Sequence, residues 1–334
     1  MLNLKILPAN CGDCIIISFN DVDRVKNILV DGGAGTVYDD VLKNEIKKIK
    51  RIDQKIDLLI VTHTDTDHIG GIIKFIENDS LNDCVEEVWF NSWSHFEGKE
   101  VKLSHQGKEI SAKSARSLEK KLKEMNIWNN NLIYQGIYRK YTNAKITVVS
   151  PNEKSLNNLK YYLKDEFNIS ESDDRKKSIE FLQKRNFKED DKIPNGSSIA
   201  FIFEYKDKKL LFTGDSFPSI VLGGLEKMDF IDETKKVKFD YVKVSHHASK
   251  YNTSDEFLEK IECNNYIVTT MGCNGKPNKE TFARILKYQK PLNIFFNYKN
   301  RKTENIFTSD ELENYQITQT YLEDNPKPYI IEVC

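Results

Sequence analysis

Residues 62–71 read THTDTDHIGG, and this segment limits what the chain can fold into more than any other. Directly after the apolar run 56–61 (IDLLIV), it places two histidines and two aspartates, namely His63, Asp65, Asp67 and His68. Imidazole nitrogens and carboxylate oxygens are common ligands of divalent metal ions. Without a cation, the neighbouring carboxylates would repel one another in a partly desolvated loop. The segment therefore predicts a metal site at the end of a buried strand; a polar turn rich in Asp and His is the alternative.

Four further segments place Gly, Asp or His where an apolar stretch begins or ends. Residues 8–14 (PANCGDC) contain a Gly-Asp turn, and residues 29–33 (LVDGG) end in an Asp-Gly-Gly corner. Residues 211–215 (LFTGD) end at Asp215, and residues 244–250 (VSHHASK) contain a pair of histidines. Together with residues 62–71, they spread potential metal ligands over most of the chain.

In this order, the five segments resemble the motifs of the metallo-β-lactamase fold, whose usual metal motif is His-x-His-x-Asp-His. Asp65 replaces the second His of that motif. The variant is similar to the hydrolase domain attached to bacterial competence (DNA-uptake) channel proteins and to its soluble relatives. The resemblance implies the α/β class (α+β in some schemes), with a four-layer αββα sandwich and a helical insertion.

The resemblance also implies a site for two metal ions. One ion would be held by Asp67, His68, Asp215 and one of His246 and His247. The other would be held by His63 and Asp65, with Asp215 as the bridge. We take His247 as the ligand and His246 as the group that contacts substrate or protonates a leaving group, although spacing does not decide between them and a buried structural His pair is the alternative. Asp13 and Asp31 would orient ligand histidines from behind.

One departure from the family pattern concerns the metals. The pattern supplies another His ligand before Asp215, whereas this chain reads Asn-Gly-Ser-Ser from Asn195 to Ser198, as the competence-type relatives also carry Asn or Ser there. The histidines of that interval, His95 and His105, lie in a polar stretch. A site richer in oxygen shifts the preference from Zn²⁺ toward Mn²⁺ or Mg²⁺. We predict one or two divalent ions, Zn²⁺ or Mn²⁺, with Mg²⁺ as a further candidate.

A second departure concerns the substrate. Where relatives often carry Gly-His-Pro-His, residues 275–278 read GKPN. Lys276 would then present an ammonium to a phosphate in place of an imidazole, and a solvated surface lysine is the alternative. Asp67, His246 and Lys276 form the predicted catalytic set.

Composition excludes several classes of protein. The 334 residues carry a net charge of -1, so no global field attracts nucleic acid or an anionic membrane, and a polyanion would have to meet a local basic patch. No apolar run approaches the roughly 20 residues needed to span a bilayer. We therefore predict a cytoplasmic protein without a membrane partner, and the six scattered cysteines fit a reducing compartment. Cys11 and Cys14 have the spacing of a redox pair, but we take Cys14 as a small apolar residue that begins a strand.

At 334 residues the chain could form one large domain or two small ones, and the resemblance implies a single domain, 1–334. Strands alternate with helices along it. The segment 92–193 is rich in Lys, Glu and Asn and is predicted to be an insertion, either a lid beside the site or a plain solvated elaboration. Strands are predicted at 4–7, 14–19, 27–30, 58–61, 85–91, 145–150, 198–204, 209–213, 239–244, 266–270 and 292–297. Helices are predicted at 41–50, 71–77, 111–125, 156–167 and 279–288.

These observations predict a metal-dependent hydrolase that uses a metal-bound hydroxide, with a phosphodiester as substrate and nucleic acid as one candidate. Two alternatives stay open. One is a hydrolase of carbon esters, thioesters or lactams, and the other is a non-catalytic interaction module that a metal stabilises.

Overall fold

The first sheet is built from strands whose buried side chains are mostly apolar. The computed structural model describes residues 1–92, 95, 106–129, 131–159 and 173–334. In the first sheet the spatial order is β16-β1-β2-β3-β4-β5, with β3, β4 and β5 parallel. Its strands are β1 (Leu2–Ile6), β2 (Ile15–Asn20), β3 (Val25–Val30), β4 (Leu58–Val61), β5 (Val88–Phe90) and β16 (Ile330–Glu332).

The second sheet has the order β15-β14-β13-β11-β9-β8-β7-β6, and its strands from β9 to β15 run parallel. Two short strands, β10 (Val237–Lys238) and β12 (Ile261–Glu262), pair separately. The strands of the second sheet are β6 (Tyr138–Lys140), β7 (Ala144–Ser150), β8 (Ala200–Tyr205), β9 (Lys208–Phe212), β11 (Tyr241–Lys243), β13 (Asn265–Val268), β14 (Leu292–Phe296) and β15 (Ile317–Tyr321).

Helices lie between the strands in sequence. The longest described helix, α3, packs against α2 beside the first sheet. The helices are α1 (Lys43–Arg51), α2 (Thr66–Ile76), α3 (Gln106–Met125), α4 (Glu153–Leu159), α5 (Ile179–Gln183), α6 (Ile193–Gly196), α7 (Pro218–Lys227), α8 (Asp255–Lys260), α9 (Lys279–Ile285), α10 (Arg301–Glu304) and α11 (Ser309–Asn314).

Alternation along the strands creates the layers, because successive side chains of a strand point to opposite faces. Ile28 and Val30 of β3 face Phe201 and Phe203 of β8 in a core between the two sheets. Leu29 of β3 points the other way and packs in the core under α1, α2 and α3. On the far side, the second sheet packs against α5, α7, α8 and α9. The predicted four-layer αββα arrangement is therefore confirmed.

The segment 92–193 is more closely joined to the fold than a helical insertion would be. Within its described part, β7 pairs with β8 and β6 pairs with β7, so this segment supplies two strands of the second sheet. The side chains of Leu118 and Leu122 in α3 belong to the core under the first sheet. Part of the predicted helix 156–167 lies outside the described residues.

Several elements differ from the sequence-based expectation. The predicted strand 239–244 is shortened to Tyr241–Lys243, while α7, α8 and β15 were not predicted. The strand β15 was missed because its sequence, ITQTY, has few apolar residues. In the described part of the chain, no helix is long and apolar enough to cross a membrane.

Candidate metal centre

The predicted ligands lie where strands of both sheets end. The strands β4, β9 and β11 end at Val61, Phe212 and Lys243, and a motif follows each of them. Parallel strands present their carboxyl ends at one edge, which is the usual place for a site in sheets of this kind. The helix α2 begins at Thr66 and not at Gly71, so Asp67 lies in its first turn rather than in a loop.

Asp215 lies in the middle of the cluster. Its Oδ2 atom is 3.6 Å from Nε2 of His68, 3.8 Å from Nε2 of His63 and 3.6 Å from Nε2 of His246. Its Oδ1 atom is 3.8 Å from Nε2 of His247. All four imidazoles thus turn the same nitrogen toward one buried carboxylate.

The two other acidic residues of the motif lie on opposite sides of this centre. The Oδ2 atom of Asp65 is 3.7 Å from Nε2 of His63, and the Oδ2 atom of Asp67 is 3.8 Å from Nε2 of His247. Two candidate ligand groups share the centre: His63, His68 and Asp215 form one, and Asp67, His68 and His247 form the other. His247 therefore lies in a candidate ligand group with Asp67 and His68, and its role as a metal ligand stays a prediction.

Hydrogen bonds at Nδ1, on the side of the ring away from the centre, fix the tautomers of two histidines. Nδ1 of His68 lies 2.8 Å from Oδ2 of Asp31, and Nδ1 of His247 lies 2.8 Å from the carbonyl oxygen of Thr269. Because each Nδ1 donates its proton to these acceptors, each Nε2 is turned toward the centre and offers a lone pair when the ring is neutral. The two Nε2 atoms lie 3.3 Å apart, within hydrogen-bond distance of each other. When both rings are neutral, these two atoms are of the type that binds a divalent cation.

Unpartnered polar atoms give an independent test of whether a metal fits. Among the described residues, Nε2 of His63 and Oδ1 of Asp215 are buried without a hydrogen-bond partner. Such orphaned atoms are rare in folded proteins and are often explained by an ion. Both atoms face the cluster, and they are a nitrogen and an oxygen donor of the types that divalent metals take. The residues present therefore fit a divalent ion.

Charges around the cluster shift its pKa values. Burial alone would lower the pKa of His68, but Asp215 and Asp31 raise it well above the usual range. Burial alone would raise the pKa of Asp215, but His246, His68 and His247 lower it well below the usual range. Burial, with Lys243 nearby, lowers the pKa of His247. Asp215 is therefore ionised at neutral pH.

A buried lysine completes the support behind the centre. Nζ of Lys243 lies 2.5 Å from Oδ2 of Asp13 and 4.0 Å from Oδ1 of Asp215. It also donates to the carbonyl oxygen of Gly214 over 3.0 Å. Asp13 in turn accepts a hydrogen bond of 2.5 Å from the hydroxyl of Thr269. The sequence analysis missed Lys243, although a lysine between Val242 and Val244 interrupts an otherwise apolar strand.

A second group that the sequence analysis missed surrounds His246. Its Nδ1 atom is 3.3 Å from Oδ2 of Asp190 and 3.1 Å from Oδ1 of Asn252. The amide of Asn195 donates to Asp190 over 2.7 Å. Although burial opposes ionisation, His246 lowers the pKa of Asp190 to about 2. No sequence signal marked Asp190, which lies in a highly charged stretch.

Ser198 stands where the family pattern has a further His ligand, and it lies on the Nδ1 side of His63, whereas Nε2 of that ring faces the centre. The Ser198 hydroxyl accepts from the backbone N–H of Asp215 over 3.1 Å and lies 3.4 Å from Nδ1 of His63. Oδ1 of Asn195 is buried without a partner in the described structure. His95 instead contacts Ser92, while His105 lies outside the described residues.

Lys276 lies close enough for its charge to lower the pKa of His247. It is half-buried, on the loop between β13 and α9. Asn278 ties this loop to the His pair: its backbone N–H donates to the carbonyl of Ala248, and its side chain accepts from the N–H of Lys250. These bonds join the loop of Lys276 to the segment that carries the His pair, and the role of Lys276 toward a substrate stays a prediction.

The cysteines correct one expectation. Cys11 forms a disulfide with Cys273, across a sequence separation of 262 residues, and not with Cys14. Cys14 is buried immediately before β2 and has a free thiol. The bond joins the Gly-Asp turn to the loop of Lys276. Because disulfides persist in oxidising environments, this pair does not support the reducing compartment that was predicted from the scattered cysteines.

Residues 22–268 match the model of the metallo-beta-lactamase superfamily. This match covers most of the chain. The chain belongs to the metallo-beta-lactamase superfamily. Members of this superfamily are generally metal-dependent hydrolases, and the centre described above lies at the edge where the motifs of the superfamily converge.

Solved structures with the same general architecture are distant in sequence. The Zn²⁺-bound PqqB from Methylobacterium extorquens is 10% identical with a TM-score of 0.43, and covers 99% of this chain and 100% of its own. The metallo-beta-lactamase fold protein YhfI from Bacillus subtilis is 10% identical with a TM-score of 0.41, at 99% and 100% coverage. The diiron β-hydroxylase CmlA from Streptomyces venezuelae is 13% identical with a TM-score of 0.39, at 96% and 52% coverage. Likenesses at this level carry no argument about activity. No curated protein matches the sequence.

Proposed function

We propose that this chain is a metal-dependent phosphodiesterase, with nucleic acid as its candidate substrate and Mn²⁺ as its preferred ion. The observation that carries the proposal is the oxygen-rich side of the centre. Nε2 of His63 faces the carboxylates of Asp65 and Asp215 there, and the sequence reads Ser198 where the family pattern has a further imidazole. Oxygen donors favour hard ions such as Mn²⁺ and Mg²⁺, which also bind phosphate oxygens well.

A bound divalent ion supplies Lewis acidity toward a phosphoryl oxygen and lowers the pKa of water to about 7. The chain supplies the charge balance around that ion. Asp215 remains ionised and lies within 4 Å of four imidazole nitrogens. Asp31 and the carbonyl of Thr269 hold His68 and His247 with their Nε2 atoms toward the centre. These bonds preorganise the donors before substrate arrives.

Two further groups serve a phosphodiester substrate. Asp190 holds Nδ1 of His246, so that Nε2 faces the centre and can exchange a proton with a leaving oxygen. Lys276 brings a positive charge beside His247, where it can offset the charge of a phosphate. Half-buried Lys276 acts on a phosphate as a point charge. A carbon ester or a lactam carries no such anionic group for the ammonium to bind.

Hydrolysis of bis(p-nitrophenyl) phosphate and of a labelled single-stranded DNA, with Mn²⁺ or Zn²⁺ supplied, tests the proposal. We expect turnover that is faster with Mn²⁺ and is lost in Asp215→Asn. Asp232→Asn is the matched control, because Asp232 is an exposed carboxylate that bonds Thr234 and Lys235. Bound metal should be counted in every variant.

Three results would overturn the proposal. Turnover of carbon esters, thioesters or lactams with no cleavage of any phosphodiester would identify the alternative hydrolase. A stably bound ion with no turnover of either substrate class would identify a metal-stabilised interaction module. Cleavage that survives in Asp215→Asn would show that the activity comes from elsewhere.

A further inference from the structure

A surface cavity of about 540 Å³ has a strongly basic wall. It is lined by Asp173, Arg175, Lys176, Arg301, Lys302 and Asn305. Four cations therefore face one carboxylate, in a chain whose net charge is -1. Like charges gathered around one cavity repel one another unless an anion enters it. The wall is thus a local basic patch of the kind that a polyanionic substrate needs.

Two of the four cations are bonded to groups of the protein, and the other two are exposed. Arg175 pairs with Asp173, with Nε 2.8 Å from Oδ1, and Lys302 donates to the carbonyl oxygen of Gly272. Lys176 and Arg301 are both exposed, and neither forms an ion pair within the described ranges. These two side chains are available to a ligand.

Bonded loops connect the cavity to the metal centre. Lys302 is bonded to Gly272, which begins the loop that carries Lys276. On the other wall, Asp174, which lies between two lining residues, accepts from the backbone N–H groups of Lys279 and Glu280 at the start of α9. The loop of Lys276 is therefore held between the walls of the cavity and the His pair.

We propose that this cavity binds the phosphate backbone of a single-stranded nucleic acid whose neighbouring phosphodiester reaches the metal centre. The proposal rests on the proposed function for the identity of the reaction, while the binding site itself stands on the four cations. The loop from Gly272 to Lys276, which is bonded to Lys302 of the cavity wall, is the path that the proposal gives the strand from the centre to the cavity. The cavity would thus select polymers over mononucleotides.

The lining also predicts how the strand is recognised. Arg and Lys contacts to phosphates position a nucleic acid but carry no sequence information. Binding platforms for bases use aromatic rings, and the described lining contains none. We therefore expect similar affinity for oligomers of different base composition and a strong dependence on salt.

The test is fluorescence-anisotropy binding of a labelled twelve-nucleotide DNA to Asp215→Asn, with and without the double substitution Lys176→Glu and Arg301→Glu. Both altered side chains are exposed, so the fold should be kept, which a thermal melt checks. We expect at least tenfold weaker binding, and a plot of log affinity against log salt that is shallower by about 1.4 for two lost phosphate contacts. The matched control is Lys47→Glu with Lys120→Glu, which makes the same charge change on exposed basic runs elsewhere.

The outcomes distinguish a failure of the cavity as a binding site from a failure of the proposed hydrolysis. Binding that is weaker in the cavity variant but not in the control variant supports the proposal, even if no phosphodiester is cleaved. In the active protein, the cavity variant should raise KM for the DNA and leave hydrolysis of bis(p-nitrophenyl) phosphate unchanged. Equal loss of binding in the control variant, or no loss in either, would overturn the cavity as a binding site. Binding of inorganic phosphate as tight as that of the oligomer would overturn the preference for a polymer.

Discussion

Nδ1 of His246 lies 3.3 Å from a carboxylate oxygen of Asp190, while Nε2 of the same ring lies 3.6 Å from Asp215. The ring is thus held between a carboxylate at its back and the metal centre at its front. The side chain of Asp190 is only 7% exposed, and its pKa, lowered to about 2, keeps it ionised at any pH near neutrality. Because an ionised carboxylate only accepts, Nδ1 of His246 donates to Asp190 and Nε2 is turned toward the centre.

Substitution Asp190→Asn tests this arrangement. We expect kcat for the phosphodiester to fall by about 10- to 100-fold, because His246 loses the charged group that orients it. Bound metal should stay unchanged, and the neighbouring exposed Asp191→Asn is the control. Loss of the ion together with the activity would show that His246 is a metal ligand rather than a proton-transfer group.

Asp31→Asn should weaken metal binding by about 10- to 100-fold. Asp31 holds both Nδ1 of His68 and the hydroxyl of Thr62, and the neutral amide would no longer fix the tautomer of the ring. Isothermal titration with Mn²⁺ gives the affinity. Asp57→Asn is the matched buried control, since Asp57 bonds Arg24 and Asn27 instead; it should lower stability and leave metal affinity intact.

Gly12→Ala should damage the centre through a steric clash. A Cβ atom at this position would lie 1.5 Å from the carbonyl oxygen of Asp67, so either the Gly-Asp turn or the first turn of α2 must move. We expect a loss of about 1–3 kcal/mol in the free energy of unfolding, together with weaker metal binding. For Gly223→Ala in α7, a Cβ has nothing within 4 Å, and stability should rise by about 0.5–1 kcal/mol. Unfolding curves in urea compare the two variants, and an unchanged Gly12→Ala protein would contradict the packing argument.

Metal affinity should rise with pH. In the metal-free protein the pKa of His68 is raised well above 6.5, so this imidazole carries a proton at neutral pH that a metal must displace. Because only the deprotonated ring binds metal, affinity for Mn²⁺ should increase about tenfold per pH unit until the pH passes that raised pKa. Calorimetry in buffers of different ionisation enthalpy counts the released proton. Affinity that is flat from about pH 6 to about pH 8 would contradict this prediction.

Thiol counting tests the disulfide between Cys11 and Cys273. The unfolded, unreduced protein should show the four free thiols of Cys14, Cys84, Cys263 and Cys334, and the reduced protein all six. Cys11→Ser should lower the free energy of unfolding by about 2–4 kcal/mol, because it removes a long-range cross-link. Cys334→Ser, at an exposed position, is the control. Six reactive thiols before reduction would show that the bond is absent from the protein as isolated.

The sequence predicted the fold well where local pattern and motif agree. Strand β4 was predicted with its observed bounds, because the apolar run Leu58–Val61 stands directly before the metal motif. The strands β3 and β9 were predicted to within about two residues for the same reason. The αββα layers followed from the resemblance, and the alternation of buried side chains along β3 and β8 gives their physical basis.

Most features that the sequence did not predict depend on contacts between residues that lie far apart in the sequence. Asp190 reaches His246 across 56 positions from a charged stretch without periodicity, so no local rule selects it. The partner of Cys11 is 262 residues away, and no local sequence pattern links the two cysteines. The helix α2 begins earlier than its apolar pattern indicates, because the polar residues of the metal motif form its first turn.

The bond between Cys11 and Cys273 also determines whether the protein stays in one piece after a peptide bond is cleaved. A single peptide cleavage anywhere between these two positions, which enclose most of the described core, leaves one covalent molecule rather than two fragments. Under oxidising conditions such a nicked chain would migrate as an intact one, and both halves of the metal centre would stay tethered near their native positions. Limited proteolysis followed by paired reducing and non-reducing electrophoresis makes that tether visible.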